Sequence, residues 1–251
     1  MTGVLPDPVD ETRRILAAAD TTQVPLRAVG GVAIALRAPS IARLHPTRQY
    51  HDIDLAAAAP RAPIERLLTD LGYVSARRFN TLNGAERLLF HDESERRIDV
   101  FLDRIRMCHE LSFRHRIERD ALTLPLADLA LTKLQIVELT VRDAQDLAAL
   151  LADHELTEDD AGIAMRRIAE VCTSDWGWWK SVDDNLRRLI DRWRAEAIGR
   201  SEAEAQVLGT AAARALVMRD RLIAAPKSMA WRVRAAIGDR VRWYDEPEEV
   251  R

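Results

Sequence analysis

The feature that most constrains this chain is a pair of acids on alternating positions of a run that otherwise reads as a β-strand. In His51-Asp-Ile-Asp-Leu55 polar and aliphatic residues alternate, so a strand projects Asp52 and Asp54 from one face and Ile53 and Leu55 from the other. Two carboxylates side by side repel and raise each other's pKa unless a cation lies between them, which points to a divalent metal. A third acid fits the same scheme. In the run Arg96 to Asp103, Ile98, Val100 and Leu102 line one face of a strand and Asp99 stands on the other.

Upstream, residues 24 to 29 read as a strand that breaks at Gly30-Gly31 into a helix over 32 to 38. Glycine at a helix start lets backbone amides approach a phosphate, although the pair taken alone is equally a plain strand-to-helix turn. Residues 39 to 49 contain Pro39, Pro46 and His45 and read as a loop, either a flap over a site or a loose connection. Arg48 at its end has two readings: a neutraliser of the acids or of a triphosphate, or a surface ion pair with Asp52 worth little.

Gly30-Gly31, a helix, Asp52-x-Asp54 and the later strand acid Asp99 together resemble the DNA polymerase β-like nucleotidyltransferase superfamily. Within it the chain is most similar to the abortive-infection, AbiEii-type group of toxin-like nucleotidyltransferases, through Arg48…Asp52-Ile-Asp54-Leu55, Lys133-Leu134 and Arg142-Asp143-x-x-Asp146-Leu147. These motifs span roughly residues 24 to 151, and the rest carries none that can be assigned. The chain departs from the superfamily at Gly31, where most members have serine, so a phosphate contact there must come from the backbone. The resemblance implies transfer of an NMP from an NTP to an acceptor hydroxyl, with Mg²⁺ or Mn²⁺ held by Asp52, Asp54 and Asp99. Gly30, Gly31, Arg48 and Lys133 would bind phosphate, and Asp143 would join the acids and Lys133 as a catalytic element. It also implies an acceptor that is RNA, such as a tRNA 3′ end, with a cognate antitoxin as partner, or a small molecule such as an antibiotic. A catalytically idle nucleotide-binding module is the rival reading. Idle members usually lose an acid, and all three candidates are present.

At 251 residues and 47% hydrophobic content the chain is long enough for one large or two small domains with a real core. A net charge of -3 excludes a uniformly basic nucleic-acid coat and leaves room for a local basic patch. Lysine stands only at 133, 180 and 227, an arginine bias that reads as codon usage before it reads as phosphate binding. Cys108 and Cys172 lack disulfide or zinc spacing, and His91, His109 and His115 lack the spacing of metal ligands. There is neither a basic-then-apolar leader nor an apolar run approaching the ~18 residues of a span, so no membrane association is expected and the chain is expected in the cytoplasm.

The remaining pattern gives an α+β expectation: a nucleotidyltransferase-fold mixed sheet with flanking helices over 1–120, then an α-helical domain over 121–251, the site lying in a cleft between them. A first helix covers 10 to 20, capped by Asp10 or a neighbour. A turn at 56 to 62 leads to a helix closed by Gly72, and Tyr73–Phe79 and a hairpin around residues 91 to 96 add strands. Leu126 to Leu139 reads as a helix apolar nearly all round, so Lys133 within it needs a partner. Asp143 is in register with Leu147 and Leu150 and points inward, while Asp146 lies slightly round the cylinder. A further helix is expected from Thr157, capped with an acidic first turn, and the tail from Tyr244 is acidic and frayed. Trp176, Trp178, Trp179 and Trp193 read as core before they read as a stacking platform for bases.

Overall fold

The structure is a computed structural model that describes residues 3–58 and 60–246. Ala59, inside the expected turn, and residues 247–251 of the acidic tail lie outside the described residues. The elements run α1 (Pro8–Thr21), β1 (Leu26–Val29), α2 (Gly30–Arg37), α3 (Ile41–Leu44), β2 (Ile53–Ala57), α4 (Arg61–Asp70), β3 (Val74–Ser75), α5 (Arg77–Asn83), β4 (Arg87–His91), β5 (Arg97–Leu102), β6 (Arg104–Arg106) and β7 (Glu110–Ser112). They continue as α6 (Leu126–Leu134), α7 (Val141–Asp153), β8 (Leu156–Thr157), β9 (Ile163–Ala164), α8 (Met165–Ser174), α9 (Trp176–Glu196), α10 (Glu202–Ala224) and α11 (Met229–Ile237). The fold is α+β, a mixed sheet followed by a helical C-terminal region. The chain forms two compact units: Met1–Arg37, Thr47–Ile105 and Ser112–Pro125 in one, Ala38–Pro46, Arg106–Leu111 and Leu126–Arg251 in the other. It therefore passes between them several times instead of once near residue 120.

In the first unit five strands lie in the order β1-β2-β5-β4-β3, with β2 and β5 parallel and the other pairs antiparallel. Register sorts the side chains into two faces, because residues opposite one another on paired strands point the same way. Leu26, Ala28, Ile53, Leu55, Leu88, Phe90, Ile98 and Val100 fall on one face and are fully buried. Burying each of the larger ones contributes about 1.5–3 kcal/mol, so this face fixes the register. The other face carries Val29, Asp54, Asp99, Leu89, Arg87 and Arg97. The outer edge of β1 is covered by residues 122 to 124, where Ala28 N donates to Leu122 O and Leu124 N to Ala28 O.

Local chemistry explains where the elements depart from expectation. Asp7, not Asp10, caps α1, its carboxylate accepting from the amides of Val9 and Asp10 with Pro8 opening the helix. Gly72 ends the α4 turn with φ +97, as expected of a glycine just past a helix. Of the expected strand at 73 to 79 only Val74–Ser75 pairs, and Arg77 onward is helical. The Asn80 side chain fixes that helix to β4 by accepting from Leu89 N at 2.7 Å and donating to Leu89 O at 3.1 Å. The hairpin forms as expected, with Asp92 Oδ1 accepting from Ser94 N and Arg96 N.

In the helical unit residues 38 to 46 are neither a flap nor a loose connection. They contain α3, which packs on α7, and Ser40 donates from N and Oγ to the Asp153 carboxylate at 2.8 and 2.5 Å. The helix expected over 126 to 139 stops at Leu134, because Asn185 of α9 donates to the carbonyls of Leu134 and Ile136 at 2.9 and 2.8 Å. The helix expected from Thr157 begins only at Met165. Thr157 Oγ1 accepts from Gly162 N and donates to Asp159 O, closing a turn in place of a cap. Caps that do form are Thr140 with Asp143 on α7, Asp175 on α9, Ser201 with Glu204 on α10, and Ser228 on α11. Trp193 is 1% exposed among the packed residues of α9 and α10, while Trp176, Trp178, Trp231 and Trp243 line a cavity of about 530 Å³. Trp176 and Trp178 are 6% and 5% exposed, so their rings serve packing. Among the described residues no helix is long and apolar enough to cross a membrane.

Candidate active site

The polar face of the sheet gathers most of the acids and glycines singled out above. Asp54 and Asp99 come from separate motifs and stand opposite each other on the adjacent parallel strands β2 and β5, which puts both carboxylates on one face. Val29, the last residue of β1, pairs with Asp54 on its other side, so the chain turns into α2 directly beside that carboxylate. Gly30 is required there twice over. Its φ is +70, and a Cβ would overlap the Asp54 carboxylate. A Cβ at Gly31 would lie 3.1 Å from Arg48 Nη2, and the Arg48 guanidinium stacks 5.1 Å over the Tyr50 ring. Where the sequence reserved these glycines for a phosphate, the Asp54 carboxylate lies against the first residue of the helix, an end at which negative charge is stabilised.

Asp52 precedes β2 and is exposed. Asp99 is the opposite case, a carboxylate 3% exposed in the middle of the sheet. A charge buried that deeply needs a partner, and Arg87 and Arg97, both on the same face, supply it. Arg87 Nε and Nη2 lie 2.8 and 2.7 Å from Asp99 Oδ1, and Arg97 Nη2 lies 3.3 Å from Oδ2. The Arg87 guanidinium is itself placed over the rings of Phe101 at 5.1 Å and Phe79 at 5.8 Å.

Among the described residues no group of three or more His, Cys, Asp or Glu side chains is placed to hold a metal ion. The three-carboxylate metal set expected of Asp52, Asp54 and Asp99 does not fit this arrangement, because both oxygens of Asp99 are already engaged by guanidinium.

No protein-family model matches the chain, and no curated protein does. Two solved structures similar to it come from Helicobacter pylori. The JHP933 protein is 10% identical, with a TM-score of 0.38 over 90% of this chain and 95% of its own. A putative nucleotidyltransferase is 12% identical, with a TM-score of 0.36 over 86% of this chain and 95% of its own.

Lys133 and Asp143 lie in the helical unit and meet there. The ammonium is 2.7 Å from Asp143 Oδ1 and also 3.1 Å from Asp146 Oδ2, its side chain being 15% exposed. Asp146 is thus not turned aside but fully buried on the same cation. Asp143 also completes the α7 cap, its Oδ2 accepting from Thr140 N and Oγ1. Burial opposes both charges, but Asp146 and Asp143 outweigh it and raise the pKa of Lys133, while Lys133 lowers that of Asp143.

Sequence reading missed Arg87, Arg97 and Tyr50. The signal for the arginines was present: Arg97 is two residues from Asp99 on one strand, and Arg87 is two from Leu89, which stands opposite Asp99. Only the pairing of β4 with β5 makes the second relation visible.

Proposed function

We propose that this chain is a nucleotidyl-transfer protein that moves an NMP from an NTP to an acceptor hydroxyl on the polar face of its sheet. One observation carries the reading: the acids of two separate motifs, Asp54 and Asp99, share a register position on adjacent parallel strands, and Gly30 folds directly against Asp54. In the step proposed, Arg48 offsets phosphate charge beside Gly31. Asp54 takes the proton of the acceptor hydroxyl as its oxygen bonds to the α-phosphorus, and the bond from that phosphorus to the pyrophosphate oxygen breaks. Asp99, neutralised by Arg87 and Arg97, stands beside Asp54 as a structural neighbour. The acceptors proposed are an RNA 3′ end, as in a toxin-like enzyme with a cognate antitoxin, or the hydroxyl of a small molecule such as an antibiotic.

The experiment is incubation with each α-labelled NTP and either total RNA or a panel of small-molecule hydroxyls, with Mg²⁺, with Mn²⁺ and with EDTA. Label appearing in the acceptor, and lost in Asp54→Asn, supports transfer. A second reading, a nucleotide-binding module without turnover, is favoured by the engagement of Asp99 with Arg87. It requires saturable NTP binding with no label transferred under any of these conditions.

A further inference from the structure

The guanidinium of Arg87 is where a cation serving Asp99 would be. We propose that Arg87 is the resident counter-cation of Asp99, so that any divalent cation on this face of the sheet binds without Asp99, and that Arg87 competes with metal for that carboxylate. The inference does not depend on nucleotide transfer, since it concerns only what neutralises a buried acid.

Three observations converge on it. Asp99 sits in mid-strand at 3% exposure, where an unpaired carboxylate is not tolerated. Two N–H groups of Arg87 converge on Oδ1 at 2.7 and 2.8 Å, a pair of charge-assisted hydrogen bonds to one oxygen, while Arg97 reaches Oδ2 more loosely at 3.3 Å. The guanidinium is also flanked by Phe79 and Phe101, so two aromatic faces hold it in place without competing for its donors. A metal ligated by Asp99 would have to displace a cation that is hydrogen-bonded, stacked and covalently tethered. By contrast Asp52 is exposed and Asp54 only half-buried, so burial presses on neither as it does on Asp99.

The probe is Mn²⁺ alone, its binding followed by loss of the free-ion paramagnetic resonance signal. Asp99→Asn is expected to leave the wild-type affinity within about twofold, because Asp99 is not a ligand. Arg87→Met frees Oδ1 of a buried carboxylate, and is expected to bind Mn²⁺ at least about tenfold more tightly than wild type, with a melting temperature that rises as Mn²⁺ is added. Adding Asp99→Asn to Arg87→Met should abolish that gain. Should Arg87→Met not fold, Arg87→Gln, which keeps an N–H for Oδ1 without the charge, is read the same way. A folded Arg87 variant with wild-type Mn²⁺ affinity overturns the proposal, as does a tenfold loss on Asp99→Asn alone. Nucleotide-transfer assays do not enter either readout, so failure of the transfer reading leaves this test intact.

Discussion

At the scale of single residues the surroundings, and not the residue type alone, decide what each position requires. Gly30 is the clearest: it is needed because its backbone is left-handed and Asp54 lies against it. Gly30→Ala is expected to cost about 2 kcal/mol or more in urea denaturation, the sum of an αL penalty and displacement of a carboxylate. Gly209 is the contrasting case, exposed inside α10 with nothing near its missing Cβ, and Gly209→Ala should gain about 0.5–1 kcal/mol in the same measurement. His109 is a buried histidine stacked on Trp178, its Nε2 2.8 Å from Ser181 Oγ. Burial pushes its pKa down to about 4, against a smaller upward pull from Asp175 and Asp245. A histidine depressed in the folded state binds its proton more tightly when unfolded, so its contribution is complete above the ordinary pKa near 6.5 and is lost as pH falls toward 4. The melting temperature should therefore fall on going from pH 7 to pH 5, and His109→Gln should flatten that part of the profile.

At the scale of elements the informative case is the junction of α6 and α7. The single ammonium of Lys133 bonds two acids of α7, both well inside the helical unit. Lys133→Met should destabilise by about 3–5 kcal/mol, since it takes from two buried carboxylates the cation they share. From sequence, an isolated Lys133–Asp143 pair could be exchanged for apolar residues at little cost. Asp146 changes that outcome. The double change Lys133→Met with Asp143→Leu takes the ammonium from a fully buried acid and also removes the α7 cap, so it is expected to unfold well below wild type by circular dichroism. Restoring stability should require Asp146→Leu as well, with Thr140 still short of its capping partner.

At the scale of the whole molecule, the division of labour along the chain is not a division of sequence. Residues 38 to 46 and 106 to 111 belong to the helical unit although they lie between strands of the other. A cut at residue 120 would remove α3 from α7, separate Ser40 from Asp153 and detach His109 from Ser181. It would also strip residues 122 to 124 from the edge of β1. The fragments 1–120 and 121–251 are therefore each expected to unfold at lower urea concentration than the intact chain.

The sequence by itself determined the elements whose signal is local. The period-2 alternation around Asp54 and Asp99 specified two strands and the face each acid would take, because one face of each had to be apolar. The cap expected at the start of the first helix marked α1, and Gly30-Gly31 marked the turn between strand and helix. What only the tertiary structure decided is which charges share a site. That Asp54 stands beside Asp99 follows from the parallel pairing of β2 with β5, a contact between distant segments that no local pattern encodes. That Asp99 is neutralised by Arg87 follows from the antiparallel pairing of β4 with β5, and that Lys133 holds Asp146 follows from the packing of α6 on α7. Helix ends behaved the same way: α6 stops where Asn185 of α9 takes the carbonyls of its last residue, Leu134, and of Ile136 just beyond, not where its apolar run ends. Burial makes Asp99 and Asp146 groups that must be neutralised, and the neighbour that does so is chosen by the fold.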